Sequence, residues 1–430
     1  MTMISPDFAV YLPAVNDSYA KELTKSLDPT RPFPNGLTLE DLVFWDKNNK
    51  LWQHREILHS IGLHKFNTIP DNAVTRMGRT DCLLLGDSAG FQIGKGTIKG
   101  YDKLREGMAS AKAIEAWQAA YDLRMWILSY LETHCTYAMT IDMPLWARLS
   151  SNSSSPFHTC SIAELTAMTV ENLRFIDAHR QGRTKWLNVV QGLDEQTTKD
   201  WWSAVSWFDC GGYALAGAAG ARGGIKQVLQ TVLMMRDSGA LTEGHDWIHV
   251  LGVSTPLWAI LLTAIQQSLR KSVNPKIRFS YDSSSPFKTA GMNEQVAVSP
   301  VYGRGTGSWS FKYDRAPQST LFAGSTEPFP YSSPLGDQLT LGHLSVRGGE
   351  WDHRSFDTVS NLLLTNHNVW VFLDAFERAN QIAFNTDRSS MPAHWATCID
   401  FISDVFNASD WQAELLRETR LLDSVAANEY

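Results

Sequence analysis

Short apolar, β-prone runs separated by helical patterns dominate the first two thirds of the chain. The runs are Phe8 to Leu12, Cys82 to Gly86, Tyr137 to Ile141, Trp186 to Val190, Tyr213 to Ala216, Ile248 to Gly252 and Ile277 to Tyr281. Their length and their content of branched and aromatic residues are those of buried strands. Between most of them the apolar positions change to helical spacing. Ala109 to Glu132 is rich in Ala, Leu and Glu, and Ile162 to Arg180, Ile225 to Arg236 and Pro256 to Leu269 keep the same period. Strand and helix in alternation predict an α/β fold with a parallel sheet, and seven strand candidates favour a closed TIM (β/α)8 barrel over an open sheet. The eighth strand has no clear run of its own.

Two stretches interrupt the alternation. Ser150 to Pro156 is a Ser/Asn loop, and Ser283 to Pro334 is rich in Ser, Gly, Pro and aromatic residues without periodicity. Long irregular segments at one end of a barrel are usually substrate loops. The helical pattern returns from Ser355 to Asn380. The expected organisation is one barrel over 1–400, with a substrate-loop insertion at 283–335, and a helical extension over 401–430.

Composition supports a large core: 43% of the 430 residues are hydrophobic and 19% are charged. Tryptophan is abundant, and Trp201, Trp202 and Trp207 fall at spacings that suggest packing. The formal net charge of −7 excludes a global positive field, so a polyanion would have to be held by local patches. Arg270, Lys271, Lys276, Arg278 and Lys288 flank Asp282 in the sequence, and Lys95, Lys99, Lys103 and Arg105 follow Asp87. The five cysteines form no Cys-x-x-Cys pair, which argues against a disulfide framework or a cysteine-built metal site. The first residues lack the pattern of a secretory leader, and no apolar run reaches the length of a membrane span. A soluble protein of a reducing cytoplasm, with no membrane partner, is expected.

The candidate chemistry lies where the apolar runs end. Cys82 to Gly86 opens into Asp87-Ser88-Ala89-Gly90-Phe91-Gln92, Tyr137 to Ile141 into Asp142-Met143-Pro144, and Ile277 to Tyr281 into Asp282. A carboxylate at the carboxyl end of a barrel strand is in the usual place for catalysis. Any one of the three, taken alone, could equally cap a helix. Gln191-Gly192, Gly217 and Gly252 also follow apolar runs, and they fall in order between Asp142 and Asp282.

This ordered set resembles the tRNA-guanine transglycosylase family, (β/α)8 barrels that exchange a guanine in a polynucleotide for a 7-deazaguanine. The resemblance is carried by residues 80 to 290. It implies Asp282 as nucleophile and Asp87 as acid/base, with Phe91 stacking on the base. It further implies Asp142 and Gln191 on the guanine edge, backbone groups of Gly217 and Ala218 beside them, and Leu251 lining the pocket. Pro286 and Lys288 keep the offsets of the family's Pro-x-Arg contact to nucleic acid, with Lys in place of Arg. Lys276 and Arg278 join Lys288 as candidate nucleic-acid contacts. Ala89 stands where the family has glycine.

The chemistry suits these residue types. Loss of a base from C1′ develops oxocarbenium character that a carboxylate can trap, while a second carboxyl moves the proton on the base. A base stacked in a duplex cannot enter such a pocket without flipping. Family members acting on tRNA carry three cysteines and a histidine on zinc. Here Thr365-Asn366-His367-Asn368 resembles the surroundings of that histidine, but no cysteine lies near Gly336 to Leu341. His343, Asp352 and His353 are the remaining ligand types nearby. The expectation is that no cofactor is required, that zinc is absent and that His367 packs or caps.

The missing cysteines, Ala89, Lys288 and the long insertion are more similar to the DpdA branch, DNA-modifying relatives of phages and bacterial islands. That resemblance implies DNA and a free 7-deazaguanine such as 7-cyano-7-deazaguanine as partners, and protection of phage DNA from restriction. The alternatives are a tRNA enzyme of the same chemistry, a non-catalytic nucleic-acid-binding subunit, and a barrel hydrolase with water as acceptor.

Overall fold

The computed structural model describes residues 6–79, 81–216, 224–317, 324–344 and 356–427. Its centre is a nearly closed barrel of eight parallel strands: β1 (Val10–Pro13), β2 (Glu56–Ser60), β3 (Leu83–Asp87), β4 (Tyr137–Met139), β5 (Lys185–Val190), β6 (Gly212–Leu215), β7 (Trp247–Val250) and β8 (Arg278–Ser283). Each strand from β2 to β8 pairs with the next, and β1 returns to β8 with Leu12 opposite Asp282. The β1–β2 seam is joined by a bridge from Ala14 to Leu58, where the Val15 N–H donates to the Leu58 carbonyl at 2.9 Å. The strand without a clear run is therefore β2. Its sequence, Glu-Ile-Leu-His-Ser, is half polar because Glu56 and Ser60 point into the barrel with Leu58.

Helices cover the outside: α1 (Asp17–Glu22), α2 (Gly90–Lys95), α3 (Ser110–Gln118), α4 (Tyr121–His134), α5 (Ile162–His179), α6 (Glu195–Val205), α7 (Gly224–Asp237) and α8 (Pro256–Ser272). Their starts follow from local chemistry. Ser161 and Glu164 form a capping box on α5, and Thr255 caps α8 just ahead of Pro256. The expected helix over Ala109 to Glu132 is two helices, because Ala120 leaves helical geometry with φ −81° and ψ 46°. Alanines are strong helix formers, so local propensity does not mark this break. Trp201 and Trp202 are buried as expected, whereas Trp207 is half exposed beyond the end of α6.

Two apolar cores result. Inside the barrel Val10, Leu12, Leu58, Leu85, Met139, Leu187, Val189, Ala214 and Trp247 pack on one another. The amino-terminal end is closed by Arg278, which pairs with Glu56 and lies 5.0 Å over the Trp247 ring, itself 4.5 Å from Tyr137. Outside, the strands meet the helices. The Ser283–Pro334 segment is more ordered than its composition suggested: it contains α9 (Ser285–Gly291) and an antiparallel pair, β9 (Gln295–Val298) with β10 (Lys312–Arg315). The long helix α10 (Thr358–Asn380) then packs over β1 and α8. Its Phe376 meets Tyr11 at 4.9 Å and Tyr281 at 5.6 Å. The last helices, α11 (Ala393–Val405), α12 (Trp411–Arg417) and α13 (Thr419–Ala426), begin before residue 401 and pack on α7 and α8. Among the described residues no helix is long and apolar enough to cross a membrane.

Gly86 joins this frame to the chemistry. A Cβ there would stand 2.4 Å from Leu131 and 2.5 Å from the Cys135 sulfur, so α4 can lie on β3 only because the position is bare. Gly86→Val should therefore cost about 3 kcal/mol through overpacking. Urea unfolding measures this, and wild-type stability would show that α4 does not bear on β3 as described.

Candidate active site

Alternation along the strands decides which side chains enter the barrel. Leu85 points inward, so Asp87 two residues later does too, and on β8 the inward set is Arg278, Ser280 and Asp282. Asp87 and Asp282 thus meet at the carboxyl end of the barrel, with Asp142 beside them in the turn after β4. Asp87 is close enough to the other two for charge to act between them. Burial pushes its carboxyl above the ordinary carboxylate range and the negative charge of Asp282 pushes the same way. The Ser60 hydroxyl and the Ala89 N–H, at 3.2 Å, act in the opposite sense. Burial, with the charge of Asp87, pushes Asp142 up to about 7.

Asp142 is held in place. The Gln191 Nε2 donates to its Oδ2 at 2.6 Å and to the Met143 carbonyl at 3.2 Å, while Gln191 Oε1 accepts the Leu145 N–H at 2.9 Å. Both ends of the amide are engaged by the protein, so Gln191 orients Asp142 and the turn behind it. Gly90 allows the start of α2 to come close, since a Cβ there would lie 3.2 Å from Asp142 Oδ1. Asp282 uses one oxygen: its Oδ1 accepts the Gly252 N–H at 3.0 Å and faces His249 Nε2 at 3.3 Å. His249 is fully buried, with Nδ1 2.8 Å from the Ser280 hydroxyl. That hydroxyl also accepts the Trp247 Nε1–H at 2.6 Å.

Around these groups Leu251 packs on the inner core at the barrel mouth. Phe91 is 59% exposed, an open aromatic face at the start of α2, with Trp146 at 5.4 Å and the Lys95 ammonium at 5.7 Å. Ala89 holds the left-handed conformation, φ 70°, at the turn into α2. This is the backbone that a glycine adopts without strain. Gly217 and Ala218 lie outside the described residues, as do Asp352 and His353.

The candidate cations separate. Lys288 is exposed on α9, directly after the Asp282 strand. Arg278 starts that strand, so four residue steps, roughly 13 Å, place it at the opposite end of the barrel. There it pairs with Glu56, and Lys276 reaches Glu243 at 3.1 Å. Proximity to Asp282 in sequence is thus not proximity to the carboxylates, and these two residues lie at the opposite end of the barrel from Lys288.

His367 is buried in α10 with both ring nitrogens engaged, Nδ1 by the Ser333 hydroxyl at 2.9 Å and Nε2 by the Ala297 carbonyl at 3.3 Å. His343 Nδ1 accepts the Thr340 N–H at 2.9 Å. Among the described residues no group of three His, Cys, Asp or Glu side chains could hold a metal ion.

His249, Ser280 and Ser60 are the site residues that the sequence reading passed over. For His249 and Ser280 the signal is a polar residue at an inward position of an apolar strand, visible only once the alternation is assigned; Ser60 lies on β2, which shows no apolar run. Fold and site together define an α/β barrel with three aspartates gathered at its carboxyl-terminal mouth. No protein-family model and no curated protein matches this chain in sequence.

Burial holds His367 down to about 4 from an ordinary 6.5. A histidine whose folded value lies below its unfolded one stabilises the fold above the unfolded value and loses that contribution as pH falls toward the folded value. Between pH 6.5 and 4 the loss from this residue should be about 3 kcal/mol. His367→Gln should remove that part of the acid dependence. An unchanged dependence in urea titrations would show that His367 protonates freely in the fold.

Proposed function

We propose that the protein is a DNA-guanine transglycosylase, exchanging guanine in DNA for a 7-deazaguanine through a covalent bond between Asp282 and the deoxyribose. The observation that carries the reading is the pairing of Asp282, bound through one oxygen by the Gly252 N–H and facing His249, with Asp87, whose proton affinity is raised by burial and by Asp282 itself. One carboxylate is placed to attack and the other to hold a proton, which is the division of labour that displacement at a glycosidic carbon requires.

In the first step a carboxylate oxygen of Asp282 bonds to C1′ as the C1′–N9 bond breaks. The bonding pair goes to guanine, which takes a proton from Asp87. In the second, Asp87 accepts the N–H proton of the incoming base, whose nitrogen attacks C1′ and releases Asp282. Asp142, oriented by Gln191, faces the donors of the guanine edge, and Phe91 offers a stacking surface. The single-stranded or flipped substrate would enter over Phe91 and Lys95 on one side and Lys288 on the other. The choice of DNA and of 7-cyano-7-deazaguanine comes from the family resemblance, as does a role in protecting phage DNA.

The test is incorporation of labelled 7-cyano-7-deazaguanine by the purified protein into matched DNA and tRNA. Label in DNA alone supports the proposal, and label in tRNA alone moves the substrate to tRNA. Guanine release without incorporation indicates a hydrolase, and binding without either reaction indicates an accessory subunit. Asp282→Ala and Asp282→Asn should abolish exchange while leaving the melting curve in place; exchange at the wild-type rate would remove Asp282 from the mechanism.

The cations offer a separate check. Lys288→Ala should weaken DNA binding about threefold or more and lower its salt dependence, whereas Lys276→Ala, at an exposed ion pair, should leave affinity within about twofold. A loss at Lys276→Ala with none at Lys288→Ala would place the nucleic acid on the other end of the barrel.

A further inference from the structure

We propose that His249 is a positioning residue that fixes which oxygen of Asp282 attacks, and that Trp247 and Ser280 fix the tautomer of His249. The inference rests on the reading of Asp282 as nucleophile. It follows from counting hydrogens along one buried chain. Trp247 Nε1 can only donate, and at 2.6 Å it occupies a lone pair of the Ser280 hydroxyl. The Ser280 hydrogen is then available to His249 Nδ1 at 2.8 Å. A neutral imidazole that accepts at Nδ1 carries its hydrogen on Nε2, and Nε2 faces Asp282 Oδ1 at 3.3 Å.

The opposite tautomer would set the Nε2 lone pair against a carboxylate oxygen and leave the Ser280 hydrogen without an acceptor, in a place where Ser280 and His249 are fully buried. Unpartnered polar groups there are costly, so the chain has one satisfied state. In that state Oδ1 of Asp282 has two N–H donors, from Gly252 and His249. No described residue donates to Oδ2, which makes it the oxygen free to reach C1′. His249 touches no substrate in this arrangement. It acts through Asp282.

The test pairs kinetics with a readout that needs no activity. In the base-exchange assay His249→Leu, which removes the donor, should lower kcat about 100-fold with KM for the free base within about twofold, as loss of one preorganised donor does. His249→Gln keeps an N–H at the place of Nε2 and should regain about tenfold of that loss. A wild-type kcat in His249→Leu, an effect on KM alone, or a glutamine variant no better than leucine would overturn the inference. In full-length protein labelled with nitrogen-15 histidine, the His249 resonances, identified by their absence from His249→Gln, should show hydrogen on Nε2 and none on Nδ1. Ser280→Ala should remove that preference. The opposite tautomer in the wild type would overturn the inference whatever the activity. If the wild-type protein exchanges no base while the tautomer is as stated, the transglycosylase reading fails and the His249 arrangement stands.

Discussion

One strand carries Arg278, Ser280 and Asp282 into a barrel interior otherwise filled by aliphatic and aromatic side chains, and the structure around it is arranged to satisfy those three. Removing a charge or hydroxyl from water without a partner costs several kcal/mol. Each of the three is therefore matched inside the barrel: Arg278 to Glu56 of β2, across β1, Ser280 to Trp247 and His249 of the neighbouring β7, and Asp282 to His249 and the Gly252 backbone. The matching works only in the observed register, with Trp247 opposite Arg278 and His249 opposite Ser280. A slip of one residue would turn Phe279 and Tyr281 inward and drive the polar set into the packing under α10. The polar column thus fixes the alignment of β7 and β8, and that alignment delivers Asp282 to the mouth.

At the mouth a second constraint operates, since three aspartates cannot all be ionised side by side without mutual cost. The protein separates them by environment. Asp282 accepts the Gly252 N–H and faces His249, while Asp87 and Asp142 are buried and have their proton affinity raised. Asp87 lies in the middle, so its proton is the one most sensitive to the state of the others. In the reaction we propose, a covalent bond at Asp282 would remove a neighbouring negative charge and lower the proton affinity of Asp87 as its proton passes to the leaving base. The chemistry and the electrostatics then run in the same direction.

Most of the barrel was legible in the sequence because seven strands are apolar enough to show a run. The exceptions have physical causes. β2 was hidden because two of its inward positions, Glu56 and Ser60, serve the ion pair at one end and Asp87 at the other, which leaves too few apolar residues to mark a strand. The break between α3 and α4 falls in alanines that give no local signal. The order within Ser283–Pro334 comes from contacts with α10, such as the Asn368 side chain bonding to Ala297 and Gln295 of β9. The aspartates were visible because each ends a run, whereas His249 and Ser280 lie within runs and look like interruptions. Arg278 and Lys276 misled in the opposite way: closeness in sequence to Asp282 says nothing about which end of a strand a residue occupies.

Ser280, His249 and Asp282 are the residue types of a serine hydrolase, joined by hydrogen bonds in the same order, yet burial inverts their roles. A hydrolase exposes its serine and buries its aspartate. Here Ser280 is fully buried one step below the mouth, with its hydroxyl taken by Trp247, and the carboxylate is the member next to the opening. A substrate arriving from the mouth meets Asp282 first and cannot reach Ser280 without displacing it. The imidazole therefore has no hydroxyl to activate, and what it can do is hold a carboxylate still. A carboxylate held through one oxygen, beside a second carboxyl whose proton affinity is raised, is suited to attack at a glycosidic carbon and poorly suited to acyl transfer, which needs an accessible hydroxyl and donors for an oxyanion.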